Sequence, residues 1–151
     1  MKQYSFYNND LLIDGERVTG FVASNAVISA GRNVPQHLPV IGGYGEMAVA
    51  TTADLSGSFN FTLMQTADWN SILFAKAQLT QATGLSGSKS LWTPMQIQLV
   101  DKMGDLVATG VNGMILKQPT VVRGVGILSN LWSIFVERYE TAAGQYPSIG
   151  N

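Results

Sequence analysis

Residues 55–69 read LSGSFNFTLMQTADW, and the middle of that stretch alternates strictly. Phe59, Phe61 and Leu63 fall on one side; Ser58, Asn60 and Thr62 fall on the other. A period of two is the pattern of a half-buried strand. The wet side of this strand carries no charge, where a surface strand usually shows Lys, Glu or Arg. The same pattern returns in PMQIQLV, where Met95, Ile97 and Leu99 alternate with Gln96, Gln98 and Val100. It returns again at 131–141, LWSIFVERYET, with Trp132, Ile134 and Val136 on one face and Ser133, Phe135, Glu137 and Tyr139 on the other.

Turn signals separate these runs. Residues 3–7 alternate weakly and meet NND, then LLI runs into Asp14-Gly15, a hairpin dipeptide. Residues 18–23 have extended, β-rich composition, and 26–29 form another short run, so the first thirty residues read as hairpins. Residues 31–45, GRNVPQHLPVIGGYG, hold two prolines and several glycines. They predict a long loop or extended arm with a strand at 38–41. EMAVATT (46–52) forms a strand, and 54–57 turns it into the 58–65 strand, a hairpin over 46–65. DKMGD (101–105) predicts a turn into a return strand at 106–117, with Gly110 and Gly113 as bulge points. Residues 118–130 read as a second arm.

One segment has a different period. From Thr66, placed to cap, with Asp68 in the first turn, Trp69, Ile72, Leu73 and Leu79 fall on one helical face, with Lys76 inside the stripe. Ala75, Ala77 and Ala82 favour helix, and Gly84 stands at a C-terminal cap position. The helix spans 67–83, followed by a Gly/Ser-rich connector. The sum is a mainly β, antiparallel sandwich or partial barrel with one flanking helix. At 151 residues it reads as a single domain, 1–151.

Charge sharpens this picture. Charged residues make up 13% of the chain, with net charge −1 and mean hydropathy +0.13; soluble domains carry roughly 25%. A surface this poor in charge favours association. It lacks the basic footprint of a nucleic-acid binder. There is no cysteine, no apolar run that spans a bilayer, and no apolar core of a secretory signal in MKQYSFYNND.

The search for chemistry returns nothing that catalyses. His37 stands alone between Pro35 and Pro39. Asp10, Asp14 and Glu16 read as acidic turns rather than a cation site. IGGYGE and RGVG have turn glycines but neither P-loop nor dinucleotide spacing. Trp69, Trp92 and Trp132 read as core or interface anchors, since no Lys or Arg interleaves them as in a base-stacking platform. No catalytic, cofactor or metal residue is assigned, and an assembling or binding protein is expected.

The order of phrases KQYSF, DGERVTGF, NAVISAGR, GYGEMAVATTADLSGSFNFTLMQT, PMQIQLVDKMGDLVAT and WSIFVERYET resembles the tail tube proteins of contractile-tailed bacteriophages, over nearly the whole chain. Pyocin and type VI secretion tubes share that architecture. The resemblance implies a structural virion protein whose hexameric rings stack into the inner tail tube. The inner strands of the subunits join one β-barrel around the lumen, through which viral DNA passes without specific binding. Implied partners are copies of the chain itself, the tail sheath protein, and baseplate or tube-initiator and tail-terminator proteins. Implied localisation is the virion tail, assembled in the host cytoplasm. On this reading Ser58, Asn60, Thr62 and Glu46 face the lumen, with Glu46 and Asp54 the nearest acids for its lining. Arg32, His37, Val40 and Tyr44 mark a ring-stacking arm. The alternatives are a tube initiator or terminator, a secretion-system tube component, or a monomeric β-barrel that binds a ligand.

Overall fold

The computed structural model describes residues 3–24, 27–85, 94–102 and 106–143. Nine strands and one helix follow in chain order: β1 (Asn9–Ile13), β2 (Glu16–Arg17), β3 (Ile28–Arg32), β4 (His37–Ile41), β5 (Met47–Thr51), β6 (Gly57–Met64), α1 (Asp68–Leu85), β7 (Met95–Asp101), β8 (Leu106–Ile115) and β9 (Ser129–Ala143). Seven form one antiparallel sheet in the order β2-β1-β7-β8-β9-β6-β3; β4 and β5 pair only with each other. Trp92 and residues 86–90 of the expected connector lie outside the described residues, as do Asn25, Ala26 and residues 103–105 of the β7–β8 turn.

The alternation sets the core. Phe59, Phe61 and Leu63 of β6 are fully buried beside Trp132, Ile134 and Val136 of β9, and Leu11, Ile13 and Ile97 join the same cluster. The Asp14-Gly15 turn has positive φ at both residues (53° and 84°), the left-handed pair that a two-residue hairpin needs. At the N-terminus the weak alternation of 3–7 gives way to a 3₁₀ turn, Phe6–Asn8, because the Ser5 hydroxyl accepts the Tyr7 N–H and caps it.

Residues 18–22 make no regular strand. They cross between the two sides of the curled sheet. The Val18 N–H donates to the Leu11 carbonyl on β1, while Gly20 accepts from the Met64 N–H and the Val22 N–H donates to Thr62 on β6. A few residues therefore link strands at opposite ends of the sheet order, which requires a strongly curled, partly closed barrel. Gly20 has φ +91°, and a Cβ there would lie 2.4 Å from the Ala67 Cβ, so only glycine fits between β6 and the start of α1.

The helix buries a different stripe from the one its sequence suggested. Trp69 and Leu73 are buried with Asn70, whereas Ile72 and Leu79 are 38% and 59% exposed. A step of four overshoots a turn by about 40° and a step of three falls short by about 60°. The contact face therefore runs from Trp69 through Leu73 toward Asn70, away from Ile72. Asn70 holds the helix to the sheet: its Oδ1 accepts the Trp132 Nε1–H at 2.9 Å, and its Nδ2 donates to the Met64 carbonyl at 2.6 Å. Lys76 does reach along the flank, to Asp14 at 3.1 Å.

Gly110 and Gly113 flank the one register shift between β7 and β8, where Met95 pairs Gly113 and Ile97 pairs Gly110. Asn112, with φ +56°, sits between them. The β8–β9 pairing runs through this point unshifted, Gly110 facing Tyr139 and Gly113 facing Val136. Two residues on each strand thus separate these inward pairs instead of one. The inward face of β9 moves from even to odd positions, and Tyr139, expected outside with Ser133, Phe135 and Glu137, is buried against Phe59 at a ring-centroid distance of 5.5 Å. A Cβ on Gly110 would come within 2.6–2.9 Å of Val136, Phe59 and Ile97 side-chain atoms.

Three outcomes are expected in chemical denaturation. Asn70→Ala leaves the buried Trp132 N–H unpaired and lowers stability by about 1–3 kcal/mol; adding Trp132→Phe recovers part of the Asn70 effect in a double-mutant cycle. Gly110→Ala overpacks the core and costs roughly 1–3 kcal/mol. Gly43→Ala, with open space around its Cβ, stays within about 0.5 kcal/mol.

Candidate functional site

Three surfaces stand out once the core is subtracted. The first is the outer face of the sheet over β3, β6, β9 and part of β8. Ser58, Asn60 and Thr62 are half-buried there. The register sets Ser29 and Gly31 beside them on β3, Leu131, Ser133 and Phe135 on β9, and Met114 beyond on β8. Every one of these positions is uncharged. The first charge reached along β9 is Glu137, which accepts from Asn112 Nδ2 at 2.6 Å. The missing charge noted in one strand is thus a property of a four-stranded face.

The second surface is the ribbon β4–β5. The Glu46-containing run does not return into β6, so the expected hairpin over 46–65 is replaced by one over 37–51. The reason is local. Gly45, at φ +87°, and the bonds Gly45 N–H to Gly42 O and Gly42 N–H to Glu46 O close a tight turn between β4 and β5. Pro39 is tolerated because the ribbon has no third strand that needs its missing N–H. Of the positions expected on an arm, His37 and Val40 lie on β4 and Tyr44, 98% exposed, lies at the tip. Glu46 is in the same turn, off the strand that carries Ser58, Asn60 and Thr62. Both faces of the ribbon are apolar and exposed: Leu38 and Val40 with Ala48 and Ala50 on one, Pro39 and Ile41 with Met47 and Val49 on the other. Apolar residues on both faces are the pattern of a strand that is covered on both sides.

At the base of the ribbon a polar chain ties the connection to β6. The Ser58 hydroxyl donates to Asn33 Oδ1 at 2.8 Å, Asn33 Nδ2 donates to Ser56 Oγ at 3.2 Å, and the Ser56 N–H donates to Asp54 Oδ1 at 2.9 Å. The bonds from Ser56 hold the Asp54 carboxyl below its ordinary value of 3.8. Asp54 is therefore a capping group at the root of the ribbon.

Arg32 closes β3 beside this root. Its Nε donates to the Tyr139 carbonyl at 3.3 Å, and its Nη1 is buried without a partner. It lines a polar cleft of about 520 Å³ with Gln36, Tyr139, Glu140 and Thr141. Glu140 is already engaged by Arg138 at 2.6 Å. Burial pushes the Tyr139 phenol above its ordinary value, and the Arg32 charge opposes that rise. Sequence reasoning placed Arg32 on the arm. The pairing of β3 with β6 that puts it in a cleft had no signal in the local pattern.

The third surface is the second arm. It runs up to β9 at Ser129 and exposes Val121, Val122, Val125 and Ile127, with Leu116 exposed just before it. Among the described residues no group of three His, Cys, Asp or Glu side chains is placed to hold a metal, and no helix is long and apolar enough to cross a membrane.

No protein-family model matches the chain, and no curated protein matches it. Solved structures do. A chain of the native gene transfer agent virion superposes with TM-score 0.56 at 15% identity, covering 93% of this chain and 100% of that one. The tube-terminating cap of the anti-feeding prophage matches at 0.51 and 12%, covering 95% and 94%. The sheath/tube terminator of an extracellular contractile injection system (PVC), in its extended state, matches at 0.52 and 11%, covering 95% and 99%. The chain shares their fold. The likeness runs almost end to end in both directions.

Asp54→Ala is expected to destabilise the protein near pH 7. A carboxyl lowered by folding contributes stability above its unfolded value and loses it as pH falls through the folded one. The difference between wild type and variant, followed by thermal melts, should therefore shrink below the ordinary value of 3.8 and vanish in stronger acid.

Proposed function

We propose that this chain is a structural subunit that forms a ring ending the tube of a contractile tail or tail-like injection machine. The observation that carries this reading is the near end-to-end likeness to two chains that terminate such tubes. The surfaces support it. A charge-poor subunit with apolar ribbons and arms needs neighbours to cover them. A neutral sheet face suits the wall of a conduit, because cations there would hold passing phosphates through counterion release.

In this reading Ser58, Asn60 and Thr62 face the lumen, joined by Ser29 and Ser133, and Glu46 belongs to the arm and not to the wall. Rings are hexameric, as the sequence resemblance implies. Joined inner sheets remove edges that would otherwise invite aggregation. The partners are the last ring of the tube and the sheath around it, with DNA or another cargo passing without specific binding. The particle is a virion tail or a relative of one, put together in the host cytoplasm.

A second reading, the repeating subunit of the tube body, has the phrase-level resemblance in its favour. Negative-stain microscopy of the purified protein separates the two. A terminator gives isolated rings that shorten tubes when mixed with the tube subunit of the same system. A tube-body protein polymerises alone into long tubes, which would overturn termination. Monomers at high concentration would overturn both.

A further inference from the structure

We propose that the Arg32 cleft receives the Glu46 carboxylate from the ribbon tip of a neighbouring copy, so that subunits join tip to base. This rests on the reading above only in that copies of the chain assemble.

The cleft is built for an anion. The Arg32 guanidinium is fixed at one end by the Tyr139 carbonyl, and its buried Nη1 has no acceptor. A guanidinium offers a planar fork of donors that matches a carboxylate in two parallel hydrogen bonds. The acid already lining the cleft, Glu140, is engaged by Arg138, and Arg32 pairs with no acid among the described residues.

The described acids are mostly engaged. Asp10 pairs with Arg17 and Lys102, Asp14 pairs with Lys76, Glu137 accepts from Asn112, and Asp54 caps Ser56. Glu46 pairs with no cation among the described residues, and it stands on a projecting element. Its side chain folds over Gly42, where a Cβ would collide with it, and the proposed contact requires it to swing outward.

Geometry makes the pair intermolecular. Arg32 is at the root of the ribbon and Glu46 at its tip. Five residues of strand carry the tip roughly 16 Å away. A tip-to-base contact uses two different surfaces of the same chain, which is a heterologous interface and propagates around a ring or along a stack. The exposed apolar residues that flank Glu46 (Val40, Ile41, Met47 and Val49) become covered in this contact. Excluding water there strengthens the ion pair.

The test is a charge swap read by sedimentation velocity, with circular dichroism and thermal melts confirming that each variant is folded. Arg32→Glu and Glu46→Arg should each weaken self-association on the order of 100-fold, and the double variant should restore it. If a reversal unfolds the chain, Arg32→Ala and Glu46→Gln in a double-mutant cycle carry the same question, and coupling between them is expected. A double variant that stays dissociated, a single variant that assembles like wild type, additive effects in the cycle, or a wild type that never self-associates would each overturn the pair. Subunits that join through this pair but fail to end tubes would refute the terminator role and leave the pair intact.

Discussion

The hydrogen bond from the Trp132 indole to the Asn70 amide, with Asn70 bound in turn to the Met64 carbonyl, is the contact on which the rest of the molecule depends. It joins the start of β9, the end of β6 and the first turn of α1 at one buried point. Burying an indole this completely contributes about 4–6 kcal/mol from its area of roughly 150–250 Å², and that gain requires a partner for its N–H. Once Asn70 supplies one, the helix start is fixed over β6. Ala67 then lies against Gly20, and residues 18–22 cross from β1 to β6 to hold the sheet curled.

A curled sheet with its apolar face filled by Trp69, Leu73 and the aromatic pair Phe74–Trp132 leaves its polar face outside. That face is neutral across four strands. The chain places its charges elsewhere: on the β1–β2 hairpin, which pairs with Lys76 and Lys102, and at the far end of β9. The ribbon leaves the body between β3 and β6, next to the neutral face. The positions of the neutral face and of the ribbon are therefore both set by the pairing of β3 with β6.

Period-two alternation made β6, β7 and β9 legible, because each buries one face against a continuous core. The two bulge glycines of β8 were legible for the same reason: a missing side chain marks a place where the sheet has no room. The helix was legible in extent and not in orientation, since an apolar stripe does not reveal that a buried asparagine lies at its centre. The 46–65 hairpin was misread because both EMAVATT and the preceding HLPVI have strand composition. The closer, glycine-built turn at 42–45 decides the partner. Tyr139 was misread because a paired irregularity in β8 and β9 changes which side faces inward. The cleft around Arg32 gave no signal, since it forms where the Arg32 side chain reaches past β6 to the Tyr139 carbonyl of β9, more than a hundred residues along the chain.

On the proposed reading the neutral face lines a passage formed by several copies. A cryo-electron microscopy reconstruction of the assembled protein tests it directly. The expected result is a closed ring with Ser58, Asn60 and Thr62 on its inner wall and the β4–β5 ribbon lodged against a neighbour. A ring with Asn60 on its outer, sheath-facing surface would contradict it.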